Sequence, residues 1–261
     1  MSDDEVNTAT DLVLAARDGD VLRVTINRPE ARNALSDDTL EALRQTFRHH
    51  ASDSTLRLAV LRGSGDKAFA AGGDLKKLMA VQTHAQATNM ADTAKAALQA
   101  IRDFPVPVIA AINGDALGGG GELAAACDLR VALNTVRVGF IQGRLAISPA
   151  WGGSNDLIRI IGPARALRLL ARAELLDMAT AESLGLIDCV SEDGETVDDA
   201  VNRFIAPMLK MAPQVMRSFK ALTHRAKNTD RADADRLETE LLADNWVHDD
   251  HWAAADKLLK K

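Results

Sequence analysis

The chain is poor in cysteine: Cys127 and Cys189 are the only two in 261 residues, both in apolar surroundings, with neither CxxC spacing nor a nearby histidine. That sets aside a disulfide framework and a thiolate metal site, and the pair reads as reduced core residues of an intracellular protein. Cations are also short, with 31 Lys and Arg against 37 Asp and Glu, a formal net charge of -6. A dedicated nucleic-acid binder needs the opposite balance to displace counterions, so neither nucleic acid nor an anionic membrane is an expected partner. No stretch reaches the ~18 uninterrupted apolar residues of a membrane span. The opening MSDDEVNTAT is acidic and polar, the reverse of a signal or transit peptide, and the expected location is cytoplasmic. Two glycine motifs are missing as well. There is no GxxxxGK[ST] and no GxGxxG in an N-terminal βαβ unit, so a P-loop and a dinucleotide fold are not expected.

What is present is an ordinary globular composition, 47% hydrophobic and 26% charged. Two β-prone runs flank Asp18-Gly19, a hairpin signal. Ser36 precedes a helical stretch with Asp37 and Asp38 in its first turn, where they favour the helix dipole. LRLAVLRGSG reads as a buried strand, and Ala91, Ala94, Leu98 and Ile101 mark a helix over 83–103. FPVPVIAAINGDALGGGG reads as one strand running into glycines, with ELAAAC starting a short helix. DLRVAL and TVRVGF are strand candidates, 154–172 is helical with a break at Gly162-Pro163, and beyond Val197 nearly everything suits a helix. Strands alternating with helices, followed by a helical tail, give an α/β core over 1–195 and a helical C-terminal module over 196–261.

Four segments carry candidate chemistry: NRPEARNALS (27–36), AFAAGGDLKKL (68–78), INGDALGGGGELAAACDLR (112–130) and GRLAISPAWGG (143–153). Together and in this order they resemble the crotonase (enoyl-CoA hydratase/isomerase) superfamily, from about residue 12 to the C-terminus. The resemblance implies a spiral of ββα units and a helical C-terminal module that builds homotrimers, often paired into hexamers. It also implies an acyl-CoA substrate processed through a stabilised enolate. No cofactor and no metal is implied; coenzyme A enters as part of the thioester.

By that resemblance Gly73 and Gly119 supply the two N–H donors of an oxyanion hole, and Glu122 is the first catalytic glutamate. Glu30, Ala31 and Arg32 are expected along the pantetheine and adenosine, with Ala71, Asp74, Leu75 and Trp151 also at the substrate. Arg32 reads either as a phosphate partner or as a solvated charge, and Lys76 and Lys77 either face the CoA phosphates or do nothing there. A bare backbone at Gly119 would let the substrate approach, beside the positive end of a helix beginning near Glu122.

The pattern departs from the family at one place. A hydratase's second glutamate is expected seven residues before Pro149, and that position is Gln142. A carboxamide does not titrate, and no acidic residue lies between Asp128 and Asp156 to replace it. Three reactions stay open: isomerisation by Glu122 alone, slow hydration with a Gln142-positioned water, and decarboxylation of a malonyl-type (methylmalonyl or ethylmalonyl) thioester. The SPAWGG stretch around Trp151 resembles the ethylmalonyl-CoA decarboxylase branch, although one aromatic can equally be local packing. Residues 79–100 are expected to line the acyl pocket. Asp115 replaces a bulkier residue, with either a subunit contact or the acyl pocket as its place. The His248–His251 stretch reads as a solvated helix face, and His49-His50 as a helix end. A non-catalytic oligomeric scaffold or an RNA-binding relative is the competing class. The intact glycine segments and Glu122 weigh against the first, and the acidic charge against the second.

Overall fold

The computed structural model describes residues 11–227, 236, 239–240, 242–244, 246–247 and 249–260. Strands β1 (Val13–Asp18) and β2 (Val21–Ile26) form the expected antiparallel hairpin, with Gly19 and Asp20 at its turn. From β2 onward the sheet is parallel, through β3 (Leu58–Gly63), β5 (Val108–Ile112), β7 (Leu129–Ala132) and β9 (Cys189–Val190). A second, three-stranded parallel sheet is made by β4 (Ala68–Ala70), β6 (Asp115–Leu117) and β8 (Val138–Gly139). Each long strand from β3 to β7 thus passes its chain to a short strand of the second sheet and then to helix. That is the ββα spiral.

The segment read as one strand is two. The chain leaves β5 and enters β6 at Asn113-Gly114, and the reason is the side chain of Asn113, 3% exposed. Its Nδ2 donates to the carbonyls of Gly63 (2.9 Å) and Gly65 (2.7 Å), and its Oδ1 accepts from Gly63 N–H (3.0 Å). These bonds satisfy backbone groups that the departing strand no longer pairs. Asn33 does the same one turn of the spiral earlier, donating to Ser64 (2.9 Å) and Ala68 (2.7 Å) carbonyls.

Helix α1 (Asp37–His50) starts where Ser36 Oγ accepts from Thr39 N–H (3.3 Å), and buries Leu40, Leu43 and Phe47 on one face. It ends at His50, whose pKa burial pushes down. After β4 come α2 (Leu75–Leu78) and α3 (His84–Arg102), the latter capped reciprocally by Thr83 and Gln86. Helix α4 (Gly119–Ala126) follows β6 and is buried at every residue. Helices α5 (Gly153–Ile161) and α6 (Pro163–Arg172) meet at the Gly162 break, followed by α7 (Met178–Ser183), α8 (Val197–Ile205), α9 (Pro213–Lys227) and α10 (Asp249–Leu259).

Alternate residues of the large sheet face different layers, as a period of two requires. Val108, Ala110 and Ile112 join the main core with α1 and α3, whereas Ile109, Ala111, Val60 and Val131 pack on α8 through Val197, Ala200, Val201 and Ile205. The boundary expected after residue 195 therefore falls just ahead of a helix that covers the sheet. Each fully buried aliphatic side chain in these layers contributes roughly 1.5–3 kcal/mol. Cys127 belongs to the main core, where burial pushes its thiol up to about 12; Cys189 is half-buried. Among the described residues no helix is long and apolar enough to cross a membrane.

Candidate active site

The short strands β4 and β6 are neighbours, and their C-terminal ends lead into two glycine turns. Gly72 (φ +101) follows β4 and Gly118 (φ +54) follows β6. Both conformations are ones that L side chains rarely adopt, and each turns the next peptide out of the sheet. The next N–H groups, of Gly73 and Gly119, meet no acceptor among the described residues. Gly119 is the first residue of α4, so the helix begins at the glycines themselves, three residues ahead of the expected Glu122. An unpartnered N–H at that position sits at the positive end of the helix.

Gly119, Gly120 and Gly153 are also bare for the sake of the protein's own packing. A Cβ on Gly119 would lie 2.3 Å from Trp151 Cζ3, and one on Gly120 would lie 1.9 Å from the Ala70 carbonyl oxygen. On the far side, a Cβ on Gly153 would come within 2.4 Å of Glu122 Cβ. The open backbone expected to admit substrate is thus also an interlock between α4, β4 and the Trp151 turn. Trp151 is 6% exposed and lines a cavity of about 880 Å³, with its ring over Gly119 and beside Gly73.

Glu122 sits in the first turn of α4, 2% exposed. Its Oε2 accepts from the N–H of Trp151 (2.9 Å) and of Gly153 (3.0 Å), and its Oε1 accepts from Gln142 Nε2 (2.8 Å). Burial pushes its pKa up to about 7, and the three hydrogen bonds and the Arg102 charge hold it from going higher. Gln142, predicted to occupy the second catalytic position, touches Glu122 directly. Its own Oε1 and the Ser148 Oγ are buried polar atoms without a partner among the described residues, in side chains that line the cavity. Among the described residues lining that cavity, Glu122 is the one carboxylate.

Ala71, Gly73, Leu75, Gly119, Glu122, Gln142 and Trp151 all line this one cavity, and Glu30, Ala31, Arg32 and Asp74 do not. Residues 29–31 form a 3-10 turn tied to the cavity rim by Ala71 N–H donating to the Arg32 carbonyl (3.1 Å); Arg32 itself is exposed. Asp74 is engaged by Arg28 (2.9 Å). Lys77 pairs with Asp38 (2.6 Å) on the surface, and Lys76 is not in the cavity wall. Asp115 has its account in Arg137: it accepts from the Arg137 N–H (2.9 Å) and pairs with its guanidinium (2.7 Å), latching β6 to the segment before β8.

Of residues 79–100, Met90 reaches the cavity. Much of the wall comes instead from the C-terminal segment of the same chain, including Leu242, Trp246 and Lys257. Trp246 donates its indole N–H to the Val81 carbonyl, and the His251 ring lies tilted against it, with ring centres 4.5 Å apart. His248, the other end of that histidine stretch, lies outside the described residues. Arg102 at the end of α3 and Asp156 in α5 carry no sequence signal of involvement, yet they pair (2.7 Å) beneath the Trp151 turn. Their only legible hint is a charged residue, Arg102, on the buried side of an otherwise apolar helical stripe.

The family model for enoyl-CoA hydratase/isomerase matches residues 16–256. The chain is 30% identical, over 95% of both chains, to a short-chain-enoyl-CoA hydratase of Clostridium acetobutylicum. It is 33% identical, over 82% of both, to a crotonyl-CoA hydratase of Syntrophomonas wolfei. The crystal structure of an enoyl-CoA hydratase/carnithine racemase from Magnetospirillum magneticum superposes with a TM-score of 0.80 at 30% identity, covering 88% of this chain and 87% of the other. With the ββα spiral and a cavity built on both glycine turns, these matches place the chain in the enoyl-CoA hydratase/isomerase family of the crotonase superfamily.

Proposed function

We propose that this chain is a single-base enoyl-CoA isomerase that moves a proton between carbons of an acyl-CoA thioester. The observation that carries this is Glu122, the lone carboxylate among the described residues lining the cavity, with a neutral Gln142 bonded to it. The Gly73 and Gly119 N–H groups receive the thioester oxygen, and the enolate charge gathers on that oxygen as the proton leaves; such a donor is typically worth about 3 kcal/mol. Glu122 takes a C2 proton from a 3-enoyl-CoA, the electron pair delocalises through the thioester, and the same carboxylic acid returns the proton to C4. A group with a pKa of about 7 is largely ionised just above neutrality, as the first half-step needs, and once protonated it is acidic enough to return the proton in the second. No cofactor is called for beyond the coenzyme A of the substrate.

A second reading is hydration, favoured by the unpartnered Gln142 Oε1 and Ser148 Oγ. Two acceptors beside one base suit a water molecule that donates to them. The same free amide oxygen opposes a substrate carboxylate, so decarboxylation ranks behind both.

The deciding experiment incubates purified protein with 3-hexenoyl-, crotonyl-, methylmalonyl- and ethylmalonyl-CoA. The expected product is 2-hexenoyl-CoA, at unchanged mass and with new conjugated-thioester absorbance. Faster gain of water or loss of carbon dioxide overturns the isomerase reading. Absence of CoA binding by calorimetry would favour a scaffold or RNA-binding relative.

Gln142→Glu is expected to confer hydration of crotonyl-CoA while moving the acidic limb of isomerisation to higher pH. Two carboxylates this close do not both ionise; at 4 Å the repulsion is about 4 kcal/mol at an effective dielectric of 20. The resulting acid–base pair is what water addition lacks in the wild type. If crotonyl-CoA turnover stays at the wild-type level, the missing carboxylate is not what limits hydration.

A further inference from the structure

Arg102 lies outside the cavity wall, at 5% exposure, and makes three contacts. Its Nε and Nη2 meet Asp156 Oδ2 at 3.0 and 2.7 Å, and Nη2 also donates to the Trp151 carbonyl at 3.1 Å. The Trp151 residue is therefore held at both of its backbone polar groups: Arg102 grips its carbonyl, and its N–H donates to Glu122 Oε2. Two residues on, Gly153 N–H donates to the same oxygen. Asp156 anchors the assembly from the first turn of α5, with its own N–H on the Gly152 carbonyl (3.2 Å).

We propose that Arg102, paired with Asp156, is a positioning residue for the base. It fixes the Trp151–Gly153 turn so that both N–H groups converge on one oxygen of Glu122, and the proton is carried by the other, which accepts one bond, from Gln142. Its charge also favours the ionised carboxylate. The other charged groups about this site are Arg144 in the turn carrying Gln142, and Lys257 and Lys260 from the C-terminal segment. Asp74 next to Gly73 is neutralised by Arg28.

The proposal rests on Glu122 being the base. Replacing a buried ion pair by well-packed apolar residues of similar volume is often neutral or stabilising. What an apolar pair cannot replace is the donor to the Trp151 carbonyl, and this separates positioning from packing.

The test is the double variant Arg102→Met/Asp156→Leu, assayed with 3-hexenoyl-CoA beside Arg102→Lys and Glu122→Gln. The double variant is expected to keep its fold and its KM within about threefold, to lose 10- to 100-fold in kcat, and to shift the acidic limb of its pH profile upward. Arg102→Lys, which keeps the charge and loses the fork, is expected to lower kcat without moving that limb. A folded double variant with wild-type kcat, or with lowered kcat and an unmoved acidic limb, overturns the proposal. Should the double variant fail to fold, unchanged kcat in Arg102→Lys overturns it and a fall at constant KM supports it. Full activity in Glu122→Gln is a separate failure, that of the base assignment itself.

Discussion

Glu122→Gln is expected to lower isomerase turnover by about 10³-fold or more and, at the same time, to make the protein more stable above pH 7. Loss of activity follows from removing the one carboxylate among the described residues that line the cavity. The stability gain follows from linkage. The folded pKa of Glu122 is raised from 4.5 to about 7, so the folded state holds this proton more tightly than the unfolded chain does. Its contribution to stability is fully present below about pH 4.5 and is lost as pH rises through about 7. The whole effect is on the order of 3 kcal/mol. The glutamine variant is insensitive to this window.

Its amide also fits the site. The carbonyl oxygen can accept from Trp151 and Gly153, and its NH₂ can donate to Gln142 once that side chain turns its free Oε1 inward. Melting both proteins at pH 5 and pH 8 checks this: the variant's advantage should open on going to pH 8. An equal difference at the two pH values would refute the buried-charge account. For the wild type, kcat/KM should fall about tenfold per pH unit below about 7, because the base must be ionised. Carbon dioxide release surviving in Glu122→Gln would instead identify a decarboxylase.

Gly120→Ala is the other substitution with a large expected effect, and it acts on folding. The new methyl would lie 1.9 Å from the Ala70 carbonyl oxygen, 2.7 Å from its carbon and 3.0 Å from its Cβ. Relief by moving α4 is blocked, because all eight of its residues are buried. Overpacking against backbone costs about 3 kcal/mol or more, which lowers Tm by roughly 6–12 °C in a chain of this size. Gly143→Ala is the control: its Cβ would meet nothing closer than 3.6 Å. Equal Tm values for the two variants would show that α4 is not locked against β4.

Much of this site is legible in one dimension because its parts are local. Glu122 adjoins its glycines, and Gln142 stands at a fixed distance from Pro149. What escapes the sequence is pairing at long range. Arg102 and Asp156 are 54 positions apart, and neither residue type says that a buried partner exists. Leu242 and Trp246 are ordinary apolar residues of a helical tail until the fold brings them across the cavity. Strands β4 and β9 are three and two residues long, too short for any period to register. The passage from β5 to β6 is hidden for a different reason: Asn113 repairs the broken ladder with a side chain, so the hydrophobic run reads straight through it.

The neighbouring placement of β4 and β6 bears on how such a protein changes. Gly73 lies three residues beyond β4 and Gly119 two beyond β6, so the two proposed oxyanion donors hang from adjacent rungs of one parallel ladder. Adjacent strands sit about 4.8 Å apart in every sheet, whatever their side chains. The gauge of the hole is therefore set by main-chain hydrogen bonding and is out of reach of most point substitutions. Side chains around it, Gln142 first among them, are free to be exchanged. A new reaction can then be reached by altering which proton or water is handled while the grip on the thioester oxygen stays the same.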